Sequence, residues 1–123
     1  MSILLDTSVV IDCLRKLDVA VTYFSTLATR PSVSVVTISE VLAGVRKRRE
    51  EDDAAIFWHL VKPLSMDAEI SRRAGAFVRL YHVSHAVELA DAIIAATAEH
   101  HGLALATLNV KQFPMFPRLK PPY

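Results

Sequence analysis

The sequence holds a single cysteine, Cys13, so no internal disulfide can staple the fold, which suits a reducing cytoplasm. Cys13 itself reads as a small core residue. No apolar run reaches the length of a membrane span. No basic stretch leading into an apolar run and a cleavage site opens the chain, so no secretory signal is expected. Charge of one sign is missing as well: 14 Lys and Arg face 13 Asp and Glu, a formal net charge of +1. Charge balance therefore does not announce a nucleic-acid partner. No cysteine and histidine set has zinc-ligand spacing. Repeats, low-complexity segments and linkers are also lacking.

What the chain does have is apolar mass. Hydrophobic residues are 52% of 123 positions and charged ones only 22%, enough to fill the core of one domain and too apolar for disorder. The organising stretch is the first, Ile3 to Asp12. Ile3-Leu4-Leu5 is an unbroken apolar run, as in a buried parallel strand, and Asp6 stands where that strand would end. Thr7 and Ser8 could cap a helix carrying Val9, Val10 and Leu14. In an open α/β sheet, ligands bind beyond the carboxyl ends of the strands. An acid placed there forms a turn or serves a site.

The remaining pattern alternates strand and helix. Asp18 can cap a second helix with Val19, Tyr23, Phe24 and Leu27, ended by Arg30-Pro31. Ser32 to Val36 is β-branched and predicts a second strand, and Thr37-Ile38-Ser39-Glu40 opens a helix through Val45. After the charged run Arg46 to Asp53, Ala54 to Val61 predicts another helix, and Leu64-Ser65-Met66 a short third strand. Asp67 caps a helix with Ile70, Ala74, Phe77, Val78 and Tyr81 on one stripe. Leu89 to His101 is an alanine-rich helix stopped by Gly102, and Leu103 to Thr107 a fourth strand. The segment from Phe113 to Tyr123 holds four of the six prolines and reads as irregular. Such alternation implies a parallel sheet with helices on both faces.

Four polar residues occupy comparable points: Asp6 after the first strand, Glu40 and Asp91 in first helical turns, and Asn109 after the fourth strand. Each has an ordinary explanation. Asp6 and Asn109 suit turns, Thr37 and Glu40 form a T-x-x-E capping box, and Asp91 complements a helix dipole. A doubly wound sheet, however, brings such points to one rim. Two carboxylates about 4 Å apart repel by about 4 kcal/mol at an effective dielectric of 20. Clustered acids therefore raise their pKa values or hold a cation, and hard oxygen donors suit Mg²⁺ or Mn²⁺.

At these residues the sequence resembles the PIN-domain ribonucleases of the VapC kind, the toxins of bacterial and archaeal toxin–antitoxin pairs. The matching stretches are Leu4 to Asp12, Thr37 to Gly44, Leu89 to Ala98 and Gly102 to Phe113, in the family's order. The resemblance implies one PIN domain over residues 1–123, a three-layer α/β/α fold with a central parallel sheet of four to five strands. It implies an endoribonuclease that uses Mg²⁺, with Mn²⁺ as a substitute, to hydrolyse RNA in line to 5′-phosphate and 3′-hydroxyl ends. Asp6, Glu40 and Asp91 fall on the family's three metal-binding acids. Asn109 falls on its fourth acidic position, where this chain carries an amide instead. Thr7 and Ser8 could orient Asp6 or metal-bound water, or simply cap the helix. Asp12 would pair with Arg15 or Lys16, or face solvent.

RNA demands basic contacts, for which Lys111 and Arg46 are the candidates. The cluster Arg46 to Arg49 also reads as a solvated helical face, because each of its residues has an acid four positions on. His82, His85, His100 and His101 could in principle support metal-free general acid–base cleavage, but no carboxylate or third ligand stands at a matching spacing. The family implies a small cognate antitoxin lying in an apolar groove and reaching the acids, and self-association to a homodimer. Trp58, Tyr23 and Phe24 are candidate groove residues, or else core. Competing readings are a receiver or phosphatase, each with an acidic Mg²⁺ site and an aspartate nucleophile after the first strand, and a non-catalytic module with an acidic rim that binds RNA or protein. The phosphatase would want an acid at position 8, where Ser8 stands, and the receiver would want paired acids before its site.

Overall fold

In the computed structural model, which describes residues 2–123, four short parallel strands form one sheet in the order β3-β2-β1-β4. The strands are β1 (Ile3–Leu5), β2 (Ser32–Ser34), β3 (Lys62–Leu64) and β4 (Ala104–Ala106). The helices are α1 (Thr7–Leu14), α2 (Asp18–Ser25), α3 (Val35–Ala43), α4 (Arg48–Phe57), α5 (Ala68–His85) and α6 (Leu89–His101). One-turn 3₁₀ helices follow at Trp58–Leu60 and Val110–Gln112.

The period-2 alternation of the strands divides the interior between the two faces of the sheet. Leu4 and Leu105 point into a core with Ile70 and Phe77 of α5 and the buried run Ala92 to Ala96 of α6. Leu5, Val33 and Ala106 point the other way, into a core with Val9 and Val10 of α1, Val41 of α3, and Ala54 and Phe57 of α4. The result is the expected three-layer α/β/α arrangement, at the lower end of the expected strand count. Leu4 and Leu5 are fully buried on opposite sides, which is why the first strand carries no polar residue.

Several boundaries differ from the sequence expectation. The β-branched run from Ser32 is strand only to Ser34; Val35, Val36 and Thr37 are the first turn of α3. The reason is Ser34, whose Oγ accepts the Val36 amide at 3.2 Å and caps the helix three residues early. Thr37 and Glu40 therefore lie inside α3 and are not a capping box. Helix α4 starts at Arg48, not Ala54, because Glu50 reaches back to accept the Arg46 and Lys47 amides at 3.0 Å each. The charged run is thus a capped, exposed helix start and not a ladder of i,i+4 ion pairs. The third strand lies two residues earlier than expected, because Lys62 donates its amide to the Pro31 carbonyl at 2.8 Å. The fourth is trimmed to three residues.

Other local expectations also shift. Leu17, not Asp18, occupies the cap position of α2, and Asp18 is its first residue. Asp67 does cap α5, accepting the Ile70 amide at 2.8 Å. Gly102 ends α6 in the left-handed conformation at φ 64°. Asp12 pairs with neither Arg15 nor Lys16; the Tyr123 hydroxyl donates to it at 2.8 Å. Cys13 is half-buried and packs against the core on the α1 side of the sheet, and burial, helped by the charge of Asp12, pushes its thiol up to about 11.

Ser34 is fully buried, so its cap is hard for water to replace. Ser34→Ala is expected to lower stability by about 1 kcal/mol in urea unfolding. An unchanged midpoint would show that the cap does not fix the start of α3.

Candidate active site

Asp6 is only 3% exposed at the carboxyl end of β1. Its backbone amide donates to the Ala106 carbonyl at 2.8 Å, continuing the ladder between β1 and β4. That ladder pairs Leu5 with Ala106, so the next residues, Asp6 and Thr107, emerge side by side. Thr107 Oγ1 donates to Asp6 Oδ2 at 2.6 Å, and Ser8 Oγ donates to the same oxygen at 2.8 Å. Neither Thr7 nor Ser8 caps α1 through its side chain.

Thr7 serves Glu40 instead. Its Oγ1 donates to Glu40 Oε1 at 2.6 Å and shares a 2.9 Å hydrogen bond with Thr37 Oγ1. Thr7 and Thr37 are buried, whereas Glu40 is exposed. Thr37 lies one turn before Glu40 on α3, so two buried hydroxyls at the contact of α1 and α3 fix where Glu40 stands.

Asp91 sits in the first turn of α6, where its Oδ2 accepts the Glu88 amide at 3.4 Å. Burial holds its carboxyl above the ordinary value, with further upward pushes from the charges of Asp6, Glu40 and Glu88, against the downward pull of the Glu88 amide. Three elements distant in sequence thus bring Asp6, Glu40 and Asp91 into one electrostatic field. They do not close on a single point: among the described residues, no three acidic, histidine or cysteine side chains stand close enough to enclose an ion. The donor set still fits a hard divalent cation, because it consists of carboxylate oxygens, and a cation would relieve the repulsion that Asp91 feels.

Asn109 is exposed just beyond β4, and its backbone amide donates to Thr107 Oγ1 at 3.0 Å. Lys111 and Arg46 are both exposed. Arg46 lies next to a cleft of about 190 Å³ whose wall includes Glu40, Val45 and Glu50, whereas Lys111 lines a separate hollow between the end of α5 and the C-terminal segment. Ile11 and Leu14 of α1, Val41 of α3 and Val45 just beyond it are the apolar part of the cleft wall, and Arg15, Glu40, Glu50 and Asp53 the charged part. The aromatic candidates for a groove are half-buried: Phe24 meets Phe57 at a tilt at 5.6 Å, Phe57 meets Trp58 edge-on at 5.8 Å, and Tyr23 meets the exposed Tyr123 at 5.8 Å. His82 stands 3.4 Å from the Val87 carbonyl, His85 2.7 Å from Ser84 Oγ, and His100 3.6 Å from Glu69 and 3.9 Å from Asp67.

Sequence reasoning passed over Thr37 and Thr107. Thr37 was absorbed into a capping motif. Thr107 had a usable signal, because it follows the fourth strand as Asp6 follows the first, and neighbouring parallel strands in register deliver such residues together.

A carboxyl raised in the folded chain contributes stability that is fully present below its unfolded value of 3.8 and is lost as pH rises through the raised value. Asp91→Asn keeps an oxygen for the Glu88 amide and removes the charge. In a chelator at neutral pH this variant is expected to melt a few degrees above the wild type, with the gap closing as pH falls through the carboxyl range. A lower melting temperature at neutral pH would contradict the repulsion.

Residues 3–116 match the family model of the PIN domain. Ribonuclease VapC10 of Mycobacterium tuberculosis is 43% identical over 98 residues, covering 75% of this chain and 69% of that protein. Ribonuclease VapC19 of the same species is 36% identical over 128 aligned positions, covering 98% of each chain. Among solved structures, a toxin–antitoxin complex from Klebsiella pneumoniae contains a chain that superposes with a TM-score of 0.84 at 29% identity, covering 99% of this chain and 98% of that one. With the parallel sheet, its helical layers and the acids at its carboxyl edge, these matches lead to one conclusion: the chain belongs to the PIN domain family, among its VapC-type members.

Proposed function

We propose that this chain is a metal-dependent endoribonuclease, the toxin of a toxin–antitoxin pair, acting in the cytoplasm. The observation that carries the reading is the shared field of Asp6, Glu40 and Asp91 at the carboxyl edge of the sheet. The ribonuclease names of two relatives above 35% identity support it. They also disfavour the receiver, phosphatase and non-catalytic readings.

Mg²⁺ is the preferred ion, with Mn²⁺ able to replace it, and Asp6, Asp91 and Glu40 would hold it. When bound, such an ion lowers the pKa of a water and stabilises charge on phosphoryl oxygens. The chain's own contribution is placement. Asp6 is fixed by hydroxyls at the end of β1, Glu40 is fixed by Thr7, and Asp91 is carried by the first turn of α6. Asn109 offers an amide oxygen without charge at the fourth position, which favours one tightly held ion over two. Lys111 and Arg46, both exposed, would meet the RNA backbone.

The antitoxin would occupy the cleft walled by Ile11, Leu14, Val41 and Val45, whose rim includes Glu40. Its apolar floor suits an amphipathic helix and its acids suit a basic side chain. The chain would act as one PIN domain that associates into a homodimer.

Asp6→Asn and Asp91→Asn are expected to remain folded and to lose RNA cleavage by more than about a hundredfold, since the ion's electrostatic contribution is several kcal/mol. EDTA should abolish cleavage in the wild type, and Mg²⁺ or Mn²⁺ should restore it. Cleavage that survives EDTA, or full activity in either variant on a defined RNA, would end the assignment.

A further inference from the structure

The two hydroxyls on Asp6 have a second partner each. Ser8 Oγ donates to Asp6 Oδ2 at 2.8 Å and accepts the Leu108 amide at 3.2 Å. Thr107 Oγ1 donates to the same carboxylate oxygen at 2.6 Å and accepts the Asn109 amide at 3.0 Å. A hydroxyl has one proton, and a backbone N–H can only donate. The amides of Leu108 and Asn109 therefore settle the direction of both hydroxyls, leaving each proton for Asp6. Hydrogen bonds chained in this way strengthen one another in a low-dielectric setting. The setting is dry, with Thr107 fully buried and Asp6 3% exposed.

A carboxylate oxygen has about two lone-pair directions, so two donors on Oδ2 fill it. We propose that Ser8 and Thr107 are positioning residues that clasp Asp6 through Oδ2, so that the carboxylate offers Oδ1 alone to a divalent cation. The same clasp ties the backbone at positions 108 and 109 to Asp6. Asn109 thus takes its place on the rim from a hydroxyl two residues earlier, although its own side chain stands in solvent. This inference rests on the metal-dependent reading above. It adds that the fourth strand controls the first acid and that a threonine hydroxyl is the control.

Thr107→Val keeps the branched shape, removes one donor to Asp6 and leaves the Asn109 amide without its acceptor. Thr107→Ser keeps the hydroxyl, and Ser8→Ala removes the other arm. The readout is Mn²⁺ binding to the full chain by calorimetry without RNA, with thermal unfolding as the check on folding. Hydrogen-bonded partners behind a ligand are commonly worth 10–100-fold in metal affinity. Thr107→Val is expected to weaken Mn²⁺ binding by at least about tenfold, Ser8→Ala to act in the same direction, and Thr107→Ser to return close to wild type. Equal affinity in Thr107→Val and wild type, or no recovery with Thr107→Ser, overturns the clasp while leaving the nuclease reading intact. If Thr107→Val does not fold, wild-type affinity in Ser8→Ala overturns it. Failure of the wild type itself to bind Mn²⁺ removes the metal-dependent reading, and the clasp falls with it.

Discussion

A carboxylate buried to 3% exposure needs hydrogen-bond donors within the fold, because an unpaired buried charge is expensive. Asp6 is that group here, and much of the architecture supplies its partners. The hydroxyl of Ser8 comes from the first turn of α1, directly after the strand. The hydroxyl of Thr107 comes from the far end of the chain, delivered by the parallel pairing of β4 with β1. A slip of one residue in that pairing would bring Ala106 or Leu108 beside Asp6. It would also reverse which side chains of β4 face each core. The register that fills the two cores is thus the register that satisfies the acid.

The periodic parts of this arrangement could be read from the sequence, and the cooperative parts could not. The apolar run Ile3-Leu4-Leu5, the alanine-rich stretch up to Gly102 and the capping Asp67 each declare themselves locally, and each stands where expected. Val35, Val36 and Thr37 look like strand because they are β-branched. They are helix because Ser34 caps them and Val41 packs into a core, and tertiary context of this kind overrides propensity. Arg48 to Asp53 looks like a row of ion pairs, yet Glu50 satisfies backbone amides instead. The three acids could be singled out because each was expected at a strand end or a helix start, which holds for Asp6 and Asp91, whereas Glu40 lies in the second half of α3. The roles of Thr107 behind Asp6 and Thr37 behind Thr7 and Glu40 were hidden, since a hydroxyl gives no periodic signal and its role depends on a partner up to 101 positions away.

The electrostatics are local in the same sense. With 14 basic and 13 acidic residues, the molecule has almost no net charge to steer a polyanion. What it has is a concentrated acidic region at one edge of the sheet, felt most clearly by Asp91, beside a cleft with apolar walls. Recognition must then depend on contacts made at short range, where screening by salt matters less.

The hydrogen bond between residues 6 and 107 also bears on when the site comes into being during synthesis. Strand β1 is made early, but β4, its neighbour, is made about a hundred residues later, and contacts of such long sequence separation form late in folding. A nascent chain that has not yet emerged through Thr107 can offer Asp6 the Ser8 hydroxyl but not the second hydroxyl, nor the Ala106 carbonyl that takes its amide. A fragment that stops short of Thr107 would therefore carry Asp6, Glu40 and Asp91 without one of the two hydroxyls that hold Asp6.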